Sequence, residues 1–114
     1  MLTIDALNKF GANTQEGMGR CFGNEEFYLK LVKTVPDEPN FDNLSEALKS
    51  GDMDKAFEHA HALKGVLANL SLTPIYTPAA EITEKLRAGE KADYDTLLKE
   101  VLNKRDELKA ICEE

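Results

Sequence analysis

Apolar residues along the chain recur three and four positions apart and nowhere alternate over a useful length, so the pattern predicts helices and no strand. Gly and Pro divide that pattern into segments. A short first helix is expected over residues 3–10, ending at Gly11, and a second over 14–21, weakened by Gly17 and Gly19 and closed by Gly23. From Glu25 the spacing brings Phe27, Leu29 and Val32 near one another, until Pro36 and Pro39 interrupt the backbone. Helix resumes over 40–50, offering Leu44, Ala47 and Leu48 to a core, with Gly51 as its C-cap and Asp52 as the N-cap of the next.

That next helix, 53–70, places Ala56, Leu63, Leu67 and Leu70 on one side and ends before Pro74, with Ser71 and Thr73 in the turn. A further helix begins at Pro74 or Pro78 and runs to Ala88, with Ile75, Ala79, Ile82 and Leu86 on one stripe and Gly89 closing it. Asp93 opens the last, where Leu97, Val101, Leu108 and Ile111 are spaced for burial. Short connections make neighbouring helices antiparallel. The expected fold is all-α: an antiparallel four-helix bundle, with the short N-terminal helices covering one end and residues 1–114 forming one domain.

Composition narrows what such a bundle does. With 42% hydrophobic and 31% charged residues the chain is neither disordered nor membrane-spanning in character. The net charge of -7 repels a phosphate backbone and no basic cluster offsets it, so nucleic acid is not an expected partner. No apolar run approaches the ~20 residues of a membrane helix. The stretch Met1-Leu2-Thr3-Ile4-Asp5 lacks the basic, then apolar, start of a signal peptide, and the expected location is the cytoplasm. Cys21 and Cys112 have no metal-ligand spacing and are expected as free thiols. No helix shows a second extended apolar face, so a monomer is expected. Tyr28, Tyr76 and Tyr94 read as packing residues, and the charges from Lys99 to Lys109 as a solvated helix face.

The candidate chemistry lies on the 53–70 helix. Advancing about 100° per residue, Asp54, Lys64, Gly65, Ala68 and, if the helix extends that far, Leu72 fall within about 60° of His61, with Phe57 about 40° away. His61 therefore points away from the core. An imidazole in water has a pKa of about 6.5, so at pH 7 one ring nitrogen carries a free lone pair and is a nucleophile without an adjacent base. Lys64, one turn on, is placed to pair with phosphoryl oxygens. Gly65 in mid-helix costs about 1 kcal/mol relative to Ala and leaves bare backbone beside His61 for a partner to approach. Phe57, Ala68 and Leu72 form an apolar rim around this polar centre, suited to docking.

The string Ala60-His61-Ala62-Leu63-Lys64-Gly65, continuing Val66-Leu67-Ala68-Asn69-Leu70, closely resembles the His-x-Leu-Lys-Gly phosphoacceptor motif of histidine-containing phosphotransfer (HPt) domains. The similarity extends to the Ile-Asp-Ala-Leu start, the Gly-rich segment leading to Glu25-Glu26-Phe27, Gly51-Asp52 before the motif and Glu81 to Gly89 after it. It implies a four-helix bundle that carries a phosphoryl group on a histidine ring nitrogen and has no kinase activity of its own. By this resemblance His61 is the acceptor, Lys64 stabilises the phosphoryl group, and Gly65 opens the docking surface. The implied partners are response-regulator receiver domains and a hybrid histidine kinase. The receiver brings the aspartate and Mg²⁺, so the chain needs no metal or cofactor. Two features depart from the family pattern: Ser71 stands where a Gly commonly follows the motif, and Pro36 to Pro39 break a helix that is often continuous.

Two other function classes bear on the same residues. A metal or hydrolytic site on Glu58-His59-Ala60-His61 fails on geometry, because helical residues two apart diverge by about 200°. His59 then reads as a boundary histidine with its own hydrogen bond. A docking-only helical module, which binds receivers or kinases without being phosphorylated, keeps the apolar rim but gives His61 beside Lys64 no task. His61→Gln separates it from a carrier.

Overall fold

A computed structural model describes residues 1–114. It contains helices α1 (Ile4–Phe10), α2 (Thr14–Arg20), α3 (Glu25–Thr34), a 3₁₀ turn at Val35–Asp37, α4 (Asn40–Ser50), α5 (Met53–Asn69), α6 (Thr73–Arg87) and α7 (Tyr94–Glu113), and no strand. No helix is long and apolar enough to cross a membrane.

Local capping chemistry sets most helix ends. The Thr3, Asn13, Asn24, Asp52 and Asp93 side chains each accept a hydrogen bond from a first-turn N–H of the helix that follows. Gly51 closes α4 in a left-handed conformation (φ 78°) that only glycine adopts without strain, and the chain reverses within two residues into α5. α6 begins at Thr73, ahead of both proline positions. Pro74 lies in its first turn, where an N–H has no helical partner to lose, and Pro78 is accommodated inside the helix with its ring buried.

α5 is the central element. Ala56, Ala60, Leu63 and Leu67, spaced four, three and four apart, are fully buried, and α5 packs between α4 and α6, with α7 against α6. Phe41 and Leu44 of α4, Ile75, Ala79 and Ile82 of α6, and Leu98, Val101 and Leu108 of α7 complete the bundle core. The two small residues Ala56 and Ala60 admit close neighbours on the buried side. The opposite side of α5 has no helix over it, and Asp54, Glu58, His61, Ala62, Gly65 and Asn69 are exposed or half-buried along it.

The N-terminal helices are fastened to the α5–α6 corner. Ser71 takes the left-handed conformation (φ 53°), which accounts physically for the Gly common at this position, since an L side chain is strained there. The strain is held by a network: the Arg20 guanidinium donates to Ser71 Oγ (2.6 Å) and to the Ala68 carbonyl (2.8 Å), and Ser71 Oγ donates to Glu16 (3.0 Å). The Asn13 N–H donates to the Ser71 carbonyl (3.0 Å). Hydrogen bonds from Arg20 and Ser71, with the Arg20 charge, lower the Glu16 pKa. The end of α5 thus meets donors from α2, about fifty residues earlier in the chain.

Leu72 and Phe27 lie elsewhere than helical spacing places them. Leu72 does not extend the outer rim of α5. The helix stops at Asn69, the left-handed Ser71 turns the chain inward, and Leu72 is fully buried as the N-cap residue of α6. Phe27 is 42% exposed and lies off the buried stripe of α3, which consists of Tyr28 and Val32, four apart. Tyr28 inserts instead, its hydroxyl donating to the Leu70 carbonyl at 2.8 Å.

Burial, with a smaller contribution from Cys21, raises the Tyr28 pKa to about 12, above the ordinary tyrosine value. A folded-state pKa above the unfolded one makes the stabilisation complete below about pH 10 and removes it as pH rises toward 12, by on the order of 2–3 kcal/mol. Denaturant unfolding between pH 8 and 11 is expected to show about half of this loss, because pH 11 lies midway between the two pKa values. Tyr28→Phe, about 1 kcal/mol less stable at pH 8 for the orphaned Leu70 carbonyl, is expected to show a shallower decline and to close the gap above pH 10.

Candidate functional site

His61 stands midway along α5 on its uncovered side, with its ring exposed and no hydrogen-bond partner in the protein. One turn earlier on the same side, the half-buried Phe57 ring stacks on the imidazole, with centroids 5.7 Å apart and planes 17° from parallel. The contact favours this orientation of the imidazole plane, and neither ring nitrogen is engaged by a hydrogen bond within the protein. His59 is different in kind: its Nδ1 is 2.8 Å from Asn40 Oδ1 on α4, as a boundary histidine with a satisfied hydrogen bond should be. The two histidines do not converge.

Lys64 lies one turn beyond His61 and projects toward α6, its Nζ 3.6 Å from Glu84 Oε2. The same Glu84 oxygen accepts from Arg87 Nε at 3.3 Å. The Arg87 guanidinium also sits over the Phe57 ring, 5.2 Å from its centroid, a cation–π contact. Two cations and one carboxylate therefore cluster at the α5–α6 seam, joined to the imidazole through the Phe57 ring. Spacing on α5 is enough to find His61, Phe57 and Lys64. Glu84 and Arg87 escape it because their approach depends on the register between α5 and α6, which no periodicity within one helix encodes.

Gly65 faces outward, and a Cβ built on it meets nothing within 4 Å. Its presence in mid-helix is therefore not explained by packing inside the protein. Ala68, two turns beyond His61, is half-buried, with its carbonyl engaged by Arg20. Of the expected rim, Phe57 and Ala68 reach the outer face and Leu72 belongs to the core. The arrangement presents an exposed, oriented imidazole with a free nitrogen, cations close by, and bare backbone alongside, which suits attack on an electrophile delivered by another molecule.

A family model described as the Hpt domain matches residues 32–114, from the last turn of α3 to the end of the chain. The chain belongs to the Hpt domain family, whose members serve phosphotransfer in two-component signalling. Comparisons with curated proteins and with solved structures returned no match. The family match does not include α1, α2 and most of α3, the elements that hold the α5–α6 corner.

Proposed function

We propose that this protein is a phosphorelay intermediate, in which His61 accepts a phosphoryl group from the aspartate of one receiver domain and passes it to the aspartate of another. The observation that carries the reading is the uncovered imidazole beside Gly65, a mid-helix glycine that nothing in the chain's own packing requires. In the accepting step a lone pair on one His61 nitrogen attacks phosphorus. The N–P bond forms as the aspartyl O–P bond breaks, with its electron pair staying on the carboxylate. The other ring nitrogen keeps its proton, and the positive charge this leaves on the ring is lost when that proton passes to solvent. Transfer onward reverses these steps. Lys64 pairs with the phosphoryl oxygens, and Phe57 holds the ring plane so that the nitrogen faces the incoming group in line.

Mg²⁺ belongs to the receiver in this scheme, and the protein contributes no metal and no kinase activity. Phe57 and Ala68 border the docking surface, Gly65 lets the receiver close on His61, and a hybrid histidine kinase stands upstream. All 114 residues act as one domain, monomeric and cytoplasmic. Lys64→Gln is expected to lower the rate of transfer from a phosphorylated receiver about 10- to 100-fold without loss of helical content.

The experiment is labelling by a ³²P-phosphorylated receiver with Mg²⁺, comparing wild type with His61→Gln. Acid-labile, alkali-stable label on the wild type alone is the expected result. Binding of receivers with no label on a folded wild type would mean a docking-only module instead.

A further inference from the structure

Glu84 has no place in the chemistry just described, yet it touches both cations of the site. Its Oε2 lies 3.6 Å from Lys64 Nζ and 3.3 Å from Arg87 Nε. Each pair is partly solvated, with the side chains of Lys64, Glu84 and Arg87 retaining 27%, 56% and 53% of their exposure. Ion pairs of this kind contribute little stability, because water screens them and holding two long side chains in one geometry costs entropy. A bound phosphoryl group offers more, because it carries more negative charge than the single Glu84 carboxylate and spreads it over three acceptor oxygens, which a guanidinium meets through two nitrogens at once. Arg87 uses only Nε toward Glu84, leaving its terminal nitrogens uncommitted, and its contact with Phe57 keeps it beside the His61 ring stack.

We propose that Glu84 is a positioning residue: it parks Lys64 and Arg87 on α6 while His61 is empty and gives them up to the phosphoryl oxygens when His61 is filled. This rests on His61 being the acceptor. Holding the cations against α6 keeps them from scattering into solvent, and breaking the hold destabilises the filled state relative to the empty one. Glu84 thereby makes the phosphoryl group easier to give away. Arg87 becomes a second phosphoryl-binding cation, reached across the helix interface and not along α5.

The test uses the intact protein and potassium phosphoramidate as the donor, so no receiver is needed. At fixed phosphoramidate and ammonia, ³¹P NMR reads the phosphohistidine signal, identified by its loss in His61→Gln, and its intensity against the known total protein gives the ratio of phosphorylated to free His61. Glu84→Gln is expected to raise that ratio about three- to tenfold, the scale of one or two exposed ion pairs. In a Lys64→Gln/Arg87→Gln background the same substitution is expected to change it less than twofold, because no cation remains to be released. An unchanged ratio in Glu84→Gln would overturn the proposal. A rise of equal size in both backgrounds would also overturn it, because Glu84 would then act directly on the phosphoryl group and not through the cations. No phosphohistidine in the wild type, with its helical circular dichroism intact, would remove the acceptor itself and overturn this proposal together with the carrier reading.

Discussion

Replacing Gly65 by Gln is expected to make the protein more stable and much worse at phosphotransfer. The first half follows from α5 alone. Gly in a helix interior is about 1 kcal/mol less favourable than Ala, and Gln is close to Ala on that scale. The position is open, with nothing within 4 Å of a built Cβ, so a gain of about 0.5–1 kcal/mol should appear in full as a higher denaturant midpoint. The second half follows from where that open space lies. A side chain at 65 stands one turn from His61 on the uncovered face of α5. There it holds a docking receiver away from the imidazole, and a displacement of even about 1 Å in a transfer reaction can cost on the order of 100-fold. Stopped-flow or gel-based transfer from a phosphorylated receiver is therefore expected to slow by about that factor, while labelling by phosphoramidate, a small donor, changes little. A Gly65→Gln variant that transfers at the wild-type rate would mean that Gly65 is not part of the docking surface.

Replacing Gly17 by Ala is expected to have the opposite character, costing about 2–3 kcal/mol of stability. A Cβ at this position falls 2.5 Å from Tyr28 Cε1 and 2.7 Å from the Leu70 carbonyl oxygen. The tyrosine ring is fully buried and tied by its hydroxyl to that same carbonyl, so neither neighbour can yield without disturbing the α5–α6 corner. Gly19, two residues on, is exposed with nothing around it, and Gly19→Ala is expected to stabilise by about 0.5–1 kcal/mol. Urea unfolding of the two variants side by side checks both signs. Loss at 17 and gain at 19 would show that α2 is packed on the corner and not merely resting near it.

What can be read from the chain, and what cannot, divides along the range of the interactions involved. Helix ends from Asn40 onward lie close to where the sequence puts them because their signals are local: Gly51 reverses the chain, while Asp52 and Asp93 cap their own first turns. The buried side of α5 is legible for the same reason, since Ala56, Leu63 and Leu67 follow from helical spacing. Spacing misplaces Leu72 because the end of α5 is not decided locally. Ser71 is held left-handed by Arg20 and Glu16 from α2, and nothing near Leu72 in sequence announces them. Phe27 has the size and apolarity of a core residue, but the position that faces inward is Tyr28, whose hydroxyl finds a carbonyl across the fold. Gly17 reads in sequence as a weak point in a helix and is a packing site. At the functional face, His61, Phe57, Lys64 and Gly65 share one helix and so share one period, whereas Glu84 and Arg87 come from α6 and are visible only once the two helices are packed.

The most direct measurement is a three-component relay: a phosphorylated receiver, this protein and a second, unphosphorylated receiver, with Mg²⁺, followed over time. Label is expected to leave the first receiver, pass through an acid-labile, alkali-stable form on this protein, and appear as alkali-labile label on the second, with no transfer when His61→Gln replaces the wild type. Label reaching the second receiver at the same rate with His61→Gln, or never appearing on the folded wild type while both receivers bind it, would show that His61 does not carry the phosphoryl group.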